Sequence, residues 1–378
     1  MQLCPRRARR LLLASLVGVF VPTAALAQAG YYVTPSFSFT ETYNDNILLT
    51  TSNRKADFIS RFTPGILAGY ESAPLTLLGG YNFDGEIFAH NTDLNVAMAR
   101  QNASLDFKYL PTQLLTLALK GDYTETLAPR ELNVLSGIAG GRARANHFLL
   151  DPSMAYRLYP LTTGTVGYTF TKDRLSGGIT TDTHLGKIGL DRKLTPRDTA
   201  NIEFTYRQFV FDTNDTTRSY AIMPGWTRAI TPLTSFTLRA GPRFSSGSVD
   251  PEVLASIRHR LKEGALSLAY TRSQTTAVGS AGALKTDSVA LVAKYRLLPL
   301  LEVGATPGFF RTKLASSEAK VSRVKVDATF EITKWLSLVG SYEFSFQKGS
   351  LDRARPRDEI SQNLILLKLV ATNRFRLY

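Results

Sequence analysis

From about residue 30 onward, apolar and polar positions alternate with a period of two. In Leu75-Thr76-Leu77-Leu78-Gly79-Gly80-Tyr81-Asn82-Phe83-Asp84-Gly85-Glu86 the odd positions are mostly apolar and the even ones mostly small or polar. Phe236-Thr237-Leu238-Arg239-Ala240-Gly241-Pro242-Arg243-Phe244 repeats the pattern with arginines on the polar side, and Val324–Phe330 and Tyr342–Gln347 repeat it again. A period of two puts successive side chains on opposite faces of a β-strand. Short breaks punctuate the strands near Pro74, Pro111, Pro160, Pro196, Pro232, Glu263, Pro299 and Lys334. Proline lacks an N–H and ends strand pairing, so it belongs in the turn. Successive breaks lie 31 to 37 residues apart, with one interval of 49. Each interval near 36 fits two strands of about 12 residues, one tight turn and one longer loop.

Eight tight turns join sixteen strands. Tyr31–Thr42 adds one before them and Ser361–Leu377 one after, giving eighteen; merging one hairpin, with Arg258–Arg260 on the weakest strand, would give sixteen. The longer connections are Asn44–Ala56, Asn91–Ala97, Leu127–Asn146, Ser176–Thr181, Asp212–Thr217, Ser273–Ala283, Leu314–Ala319 and Gly349–Glu359, rich in Asn, Asp, Ser, Thr and Gly. Short turns at one end, long polar loops at the other and an even strand number predict an all-β, antiparallel up-and-down transmembrane barrel. A soluble β-sandwich also alternates. Against it, the apolar face recurs on nearly every segment while the opposite face carries Arg, Lys, Asp, Glu, Thr and Gly. An eighteen-stranded barrel is too wide for side chains to fill, so its polar face must line water. Tyr70, Tyr109, Tyr159, Trp226, Tyr295 and Trp335 lie near proposed turns, as an interfacial girdle would. The last segment keeps Ile365, Leu367, Leu369, Phe375 and Leu377 in one apolar register, which leaves Arg374, Arg376 and Tyr378 on the other face.

Composition agrees. Apolar residues make up 44% and charged residues 20%, too hydrophobic for a disordered chain, and no stretch after Gln28 has the roughly 18 uncharged apolar residues of a spanning helix. Arg6, Arg7, Arg9 and Arg10 precede an apolar run, Leu11 to Leu26, that ends in Ala25-Leu26-Ala27. This is a secretory signal with its cleavage site, so 1–27 is expected to be removed and 28–378 to form the barrel. Cleavage would remove Cys4, the one cysteine, and lower the formal charge from +14 to +10. The expected location is the bacterial outer membrane.

No site signature appears. His90, His147, His184 and His259 lack any metalloprotease spacing, and there is no G-x-S-x-G elbow, phosphate loop or dinucleotide fingerprint. The chain is read as a non-enzyme without catalytic residues, cofactor or metal. Basic residues alternate with apolar ones along strands instead of forming a run, which argues against nucleic-acid binding. With the apolar register outward, strands nine, eleven and twelve carry Arg207, Arg239, Arg243, Arg258 and Arg260 on the lumen side. Strands three to five carry Asp84, Glu86, Asp106 and Asp122 with Lys108 and Lys120. Basic and acidic walls on opposite arcs would set a transverse field across a pore. The plainer alternative is that these charges only solvate the lumen and pair with neighbours.

The mature N-terminus reads Val33-Thr34-Pro35-Ser36-Phe37-Ser38-Phe39-Thr40-Glu41-Thr42-Tyr43-Asn44-Asp45-Asn46-Ile47. This opening resembles the β-barrel porin 2 family and the related outer-membrane barrels of exosortase and exopolysaccharide systems. The resemblance covers about fifteen residues and transfers no binding residue. It implies a channel taking part in exopolysaccharide secretion, with polysaccharide and periplasmic export components as partners beside outer-membrane lipid and lipopolysaccharide. Physically, the Asn-Asp-Asn segment reads as a strand end capped by side-chain hydrogen bonds. A general or solute-specific porin for small polar or anionic solutes explains the barrel equally well. So does a closed structural barrel plugged by its loops, for which Leu127–Asn146 is long enough. N-terminal sequencing of protein recovered from membranes should begin at Gln28; a start at Met1 would mean that the leader is kept as an anchor.

Overall fold

A computed structural model describes residues 30–245, 247–351 and 359–377. The expected leader, part of the last long loop and Tyr378 lie outside these residues. The strands are β1 (Gly30–Asn44), β2 (Asp57–Glu71), β3 (Leu75–Phe88), β4 (Val96–Tyr109), β5 (Leu115–Thr126), β6 (Ala145–Tyr159), β7 (Thr162–Leu175), β8 (Thr180–Lys193) and β9 (Asp198–Phe211). They continue as β10 (Thr216–Ala229), β11 (Thr234–Ser245), β12 (Ser248–Leu261), β13 (Gly264–Thr275), β14 (Leu284–Leu298), β15 (Leu301–Leu314), β16 (Ser317–Thr333), β17 (Leu336–Lys348) and β18 (Glu359–Thr372). Each pairs antiparallel with its sequence neighbour, and β1 also pairs with β18, so the sheet closes into an eighteen-stranded barrel. Arg258 and Arg260 sit on a full strand paired on both sides, which removes the sixteen-strand alternative. All eight expected tight turns fall between strands at one end. The other end departs from expectation in two places: Ser245 pairs with Ser248 and Leu314 with Ser317, so β11–β12 and, where Leu314–Ala319 is expected as a longer loop, β15–β16 are each joined by only two residues.

Alternation decides which side faces where. Phe37, Ile66, Val166, Ile188, Ile202, Val289 and Ile365 are exposed on the outer surface, whereas Ser38, Thr40, Thr42, Thr205, Ser219, Thr286 and Thr312 are buried on the inner one. Among the described residues no apolar cluster fills the centre; the two buried apolar clusters there, Ile47–Ile59–Phe88 and one around Ile138 and Leu284, lie at the loop end. Of the proposed girdle residues, Tyr109, Tyr159, Trp226, Tyr295 and Trp335 are outwardly exposed near the short-turn end.

Several prolines stand inside strands and leave gaps in the ladders. Pro35 is the clearest. The last strand breaks after Thr372 and resumes at Phe375–Leu377, yet both pieces pair with β1 in one register: Ser36 opposite Thr372, then Val33 opposite Phe375. The gap falls where Pro35 has no N–H to donate, and the outward register of Leu369, Phe375 and Leu377 carries straight across it. Near Pro224 and Pro242 the β10–β11 ladder also opens, and there a Cβ on Gly241 would lie 1.9 Å from the Ile222 carbonyl oxygen, so only glycine fits.

At the loop end the seam is stapled by side chains. Asn46, fully buried, donates from Nδ2 to the carbonyls of Thr50 (2.9 Å) and Ser361 (3.0 Å), and its Oδ1 accepts from the Thr50 N–H at 3.0 Å. Gln362 Nε2 donates to Asn44 Oδ1 and to the Asn46 carbonyl, both at 2.9 Å, and Asp45 accepts from the Asn363 N–H at 2.7 Å and from its Nδ2 at 2.6 Å. The Asn-Asp-Asn segment therefore does more than cap its own turn: it joins the first strand to the last. Asn46→Ala leaves two carbonyls and one N–H without their partner. It should cost about 1–3 kcal/mol for each buried group left unsatisfied, read as a lower urea midpoint for loss of the folded gel band, whereas Thr51→Ala should leave that midpoint unchanged.

Candidate pore constriction

The connection between β5 and β6 does not stay at the rim. Residues 127–144 cross the lumen and fasten to the opposite wall. After a 3-10 turn at Pro129–Glu131, Arg130 Nη2 donates to Glu343 Oε1 at 2.9 Å, and its Nη1 bonds Gln362 and reaches Ser345 Oγ at 3.4 Å. Further along, Asn133 Oδ1 accepts from the Val278 N–H at 2.8 Å, the Ser136 carbonyl from Thr312 Oγ1 at 3.0 Å, and Gln347 Oε1 from the Ala139 N–H at 2.8 Å. Between these anchors Ile138 enters the cluster of Ala277, Leu284, Ala319, Val321 and Leu351, with Phe310 beside it. Gly137 has a φ of +68°, and a Cβ there would sit 2.7 Å from the Phe310 ring, so the residue at this tip must be glycine on both counts.

The near end of the loop is tied to its own arc. Glu131 accepts from Arg100 and from Thr126 Oγ1 at 2.9 Å. Arg142 donates to Glu86 at 3.1 Å and lies over the Phe88 ring at 4.9 Å, while Arg61 binds the same Glu86 at 2.7 Å. Between loop and wall remains a cavity of about 300 Å³. Arg61, Arg100, Arg130, Arg142, Arg323 and Lys325 line it against only Glu86, Glu131 and Glu343. Glu343 is shared, with Arg130 at 2.9 Å and Arg323 at 3.7 Å. Lys325 stands opposite Glu343 in the β16–β17 ladder without an ion pair among the described residues.

The residues picked out from sequence distribute differently from two opposed walls. Arg207 makes a two-pronged bond to Glu252, Arg239 binds Glu203 at 3.0 Å, and the nearly fully buried Arg243 lies 3.2 Å from Asp250 and 3.8 Å from Glu252. The expected basic arc thus carries its own carboxylates. Arg258 and Arg260 are exposed toward the short turns and make no ion pair among the described residues. On the other arc Asp84 accepts from Thr63 Oγ1 at 2.8 Å and lies 3.4 Å from Arg100, and Glu86 is held by two arginines. Asp122 accepts from Thr124 Oγ1 at 3.2 Å, while Asp106 and Lys120 are cross-strand neighbours without an ion pair among the described residues, as is Lys108 opposite Ala118. The expected acidic arc is therefore a mixed network too. Charged residues read strand by strand look alone, but partners sit one to three strands away, as Glu203 on β9 does for Arg239 on β11. Arg130, Glu131, Arg323 and Glu343 escaped that reading. The signal that could have shown where the loop attaches was Ile138, an apolar residue in a segment otherwise expected to be solvated, whereas Val134 and Leu135 stay exposed.

The histidines have structural partners: His147 with Asp173 at 2.6 Å, His184 with Tyr168 at 2.7 Å, His259 with Thr234 at 2.8 Å and His90 with Asp57 at 3.1 Å. Among the described residues no cluster of His, Cys, Asp and Glu could hold a metal ion.

No protein-family model matches the chain, and no curated protein matches it in sequence. Solved structures do. OccAB4 of Acinetobacter baumannii aligns over 92% of this chain and 98% of its own, with a TM-score of 0.50 at 10% identity. OpdQ of Pseudomonas aeruginosa aligns over 92% and 99% at 11% identity and a TM-score of 0.48. An anion-selective porin from Comamonas acidovorans aligns over 92% and 100% at 13% identity and a TM-score of 0.41. At such identities the likeness concerns the fold alone, a closed antiparallel β-barrel like that of OccAB4.

Proposed function

We propose that the protein is a passive outer-membrane channel for small anionic solutes, with its short turns in the periplasm and the β5–β6 loop as its constriction. The observation that carries this reading is the lining of the cavity beside the loop, six cationic side chains against three carboxylates. Water-filled lumens with an excess of one sign concentrate the opposite ion. Arginine suits carboxylates because its planar fork donates two parallel hydrogen bonds. The outward apolar band supports the membrane placement, since a surface of this kind is stable only against hydrocarbon.

A role in exopolysaccharide secretion, with periplasmic export components as partners, draws its support from the resemblance of Val33–Ile47. A polymer passing through the lumen would have to displace a loop held by Arg130, Asn133, Ser136 and Ala139. The small-solute reading needs no such movement and is the one favoured here. Disrupting the gene should leave secreted polysaccharide unchanged and slow uptake of small anions; the reverse pattern would favour the secretion role.

Two measurements in planar bilayers test the channel. Arg130→Ala combined with Ile138→Asp should free the loop and raise single-channel conductance, and an unchanged conductance would remove the loop from the conduction path. Arg323→Gln with Lys325→Gln should move the reversal potential in a salt gradient toward cation preference. The shift should exceed that from Arg207→Gln, whose partner Glu252 stays close to Arg243.

A further inference from the structure

On β15, β16 and β17 the outer surface changes character where the apolar band stops. Phe309 is exposed outward, and two residues nearer the loop end the same face of β15 carries Arg311, with Lys313 beyond it. In successive ladders Arg311 stands opposite Lys320, and Lys320 opposite Lys348. Three cations thus occupy one level on three adjacent strands, spanning about 10 Å. Among the described residues three carboxylates answer these four cations, and one of them, Asp287 on β14, stands opposite Arg311 and is shared with Arg272 at 3.7 Å. Glu318 serves three of them at once, Arg311 at 3.0 Å, Lys313 at 3.3 Å and Lys320 at 3.6 Å, and Glu359 meets Lys348 at 3.1 Å. Like charges directly opposite one another destabilise a ladder. None of these side chains reaches the lumen, so they contribute nothing to the constriction.

We propose that this patch binds the phosphate groups of the outer-leaflet glycolipid, lipopolysaccharide. A ligand here must be amphiphilic, with acyl chains against Phe309 and Val324 and anionic groups at the level of the cations. Phosphate fits the arginine fork and the lysine point charges, and a head group with more than one phosphate matches a row three strands wide. A basic cluster beside an anionic head-group layer is attracted by each of its charges in turn. The inference rests on the outer-membrane placement proposed above, with the loop end facing outward.

The test uses the full barrel purified in detergent, with folding checked by heat-modifiable gel mobility. Binding is titrated with intact lipopolysaccharide, phosphatase-treated lipopolysaccharide, phosphatidylglycerol and inorganic phosphate. The wild type should prefer the intact glycolipid, and Arg311→Gln with Lys320→Gln and Lys348→Gln should weaken it by at least about tenfold. Glu318→Gln, which removes the shared carboxylate and needs no cation to be lost, should bind more tightly than the wild type. Equal binding by wild type and triple variant, by Glu318→Gln and wild type, or of treated and intact glycolipid would overturn the proposal. Phosphatidylglycerol binding as tightly as lipopolysaccharide would overturn the glycolipid assignment in favour of any anionic lipid, and inorganic phosphate competing at equal concentration would do so in favour of a free anion. Single-channel conductance should be the same in the triple variant as in the wild type. A wild type that binds the glycolipid but conducts nothing would sink the channel reading and leave this one standing.

Discussion

The structure depends on one requirement: every strand must have a hydrogen-bonded neighbour on both sides. An open edge in hydrocarbon leaves a row of unpaired N–H and C=O groups, each costing several kcal/mol. The barrel meets this by pairing β1 with β18, which is the one ladder not made by neighbours in sequence. It is also interrupted by chemistry, because Pro35 has no N–H to give. The register nevertheless continues on both sides of the gap. Asn44, Asp45 and Asn46 hold the other end of the same seam by side-chain bonds to Ser361, Gln362 and Asn363. A strand pair that must find its partner more than 300 residues away gains from such a fastening, since loop closure over that length precedes any reward from pairing.

Closure gives the molecule an inside, and the inside of so wide a barrel is wet. The β5–β6 loop fills part of it by exploiting two kinds of contact that the walls supply. Ile138 finds an apolar cluster at the loop end, and Arg130 finds Glu343 and Gln362. Neither contact would hold a loop well by itself: ion pairs in a hydrated lumen are screened, and one isoleucine buries little area. Together they fix the two limbs of the crossing segment on opposite sides of its glycine tip. The cations left over by the shared Glu343 then define the electrostatics of the remaining space.

Alternation along a strand keeps the lumen and outer surfaces electrically separate although they are a few ångströms apart. On β16, Arg323 and Lys325 face the constriction while Lys320, three residues earlier, stands outward beside Arg311 and Lys348. On β15, Thr312 bonds the crossing loop while its neighbour Arg311 binds Glu318 on the outer face. A single net charge for the chain therefore says little. The same positive excess is divided between residues that face the lumen and residues that face outward.

The sequence by itself favoured eighteen strands over sixteen, a choice the pairing of β12 on both sides settled, and it determined the strand period, all eight tight turns and which face of each strand is apolar. These are local properties: proline and turn residues act on their own backbone, and a period of two needs no distant partner. It also marked residues Leu127–Asn146 as long enough to enter the lumen. Only the tertiary structure decided that they do, and to what they attach, because Arg130 and Glu343 are 213 residues apart and meet across the barrel's width. The pairing of Arg207 with Glu252 and of Arg239 with Glu203 was equally out of reach, since contacts between strands that are not sequence neighbours depend on register and tilt. The Asn-Asp-Asn segment shows the boundary within three residues. Its capping chemistry is written in the side chains, but its bonds to the last strand exist only once the sheet has closed.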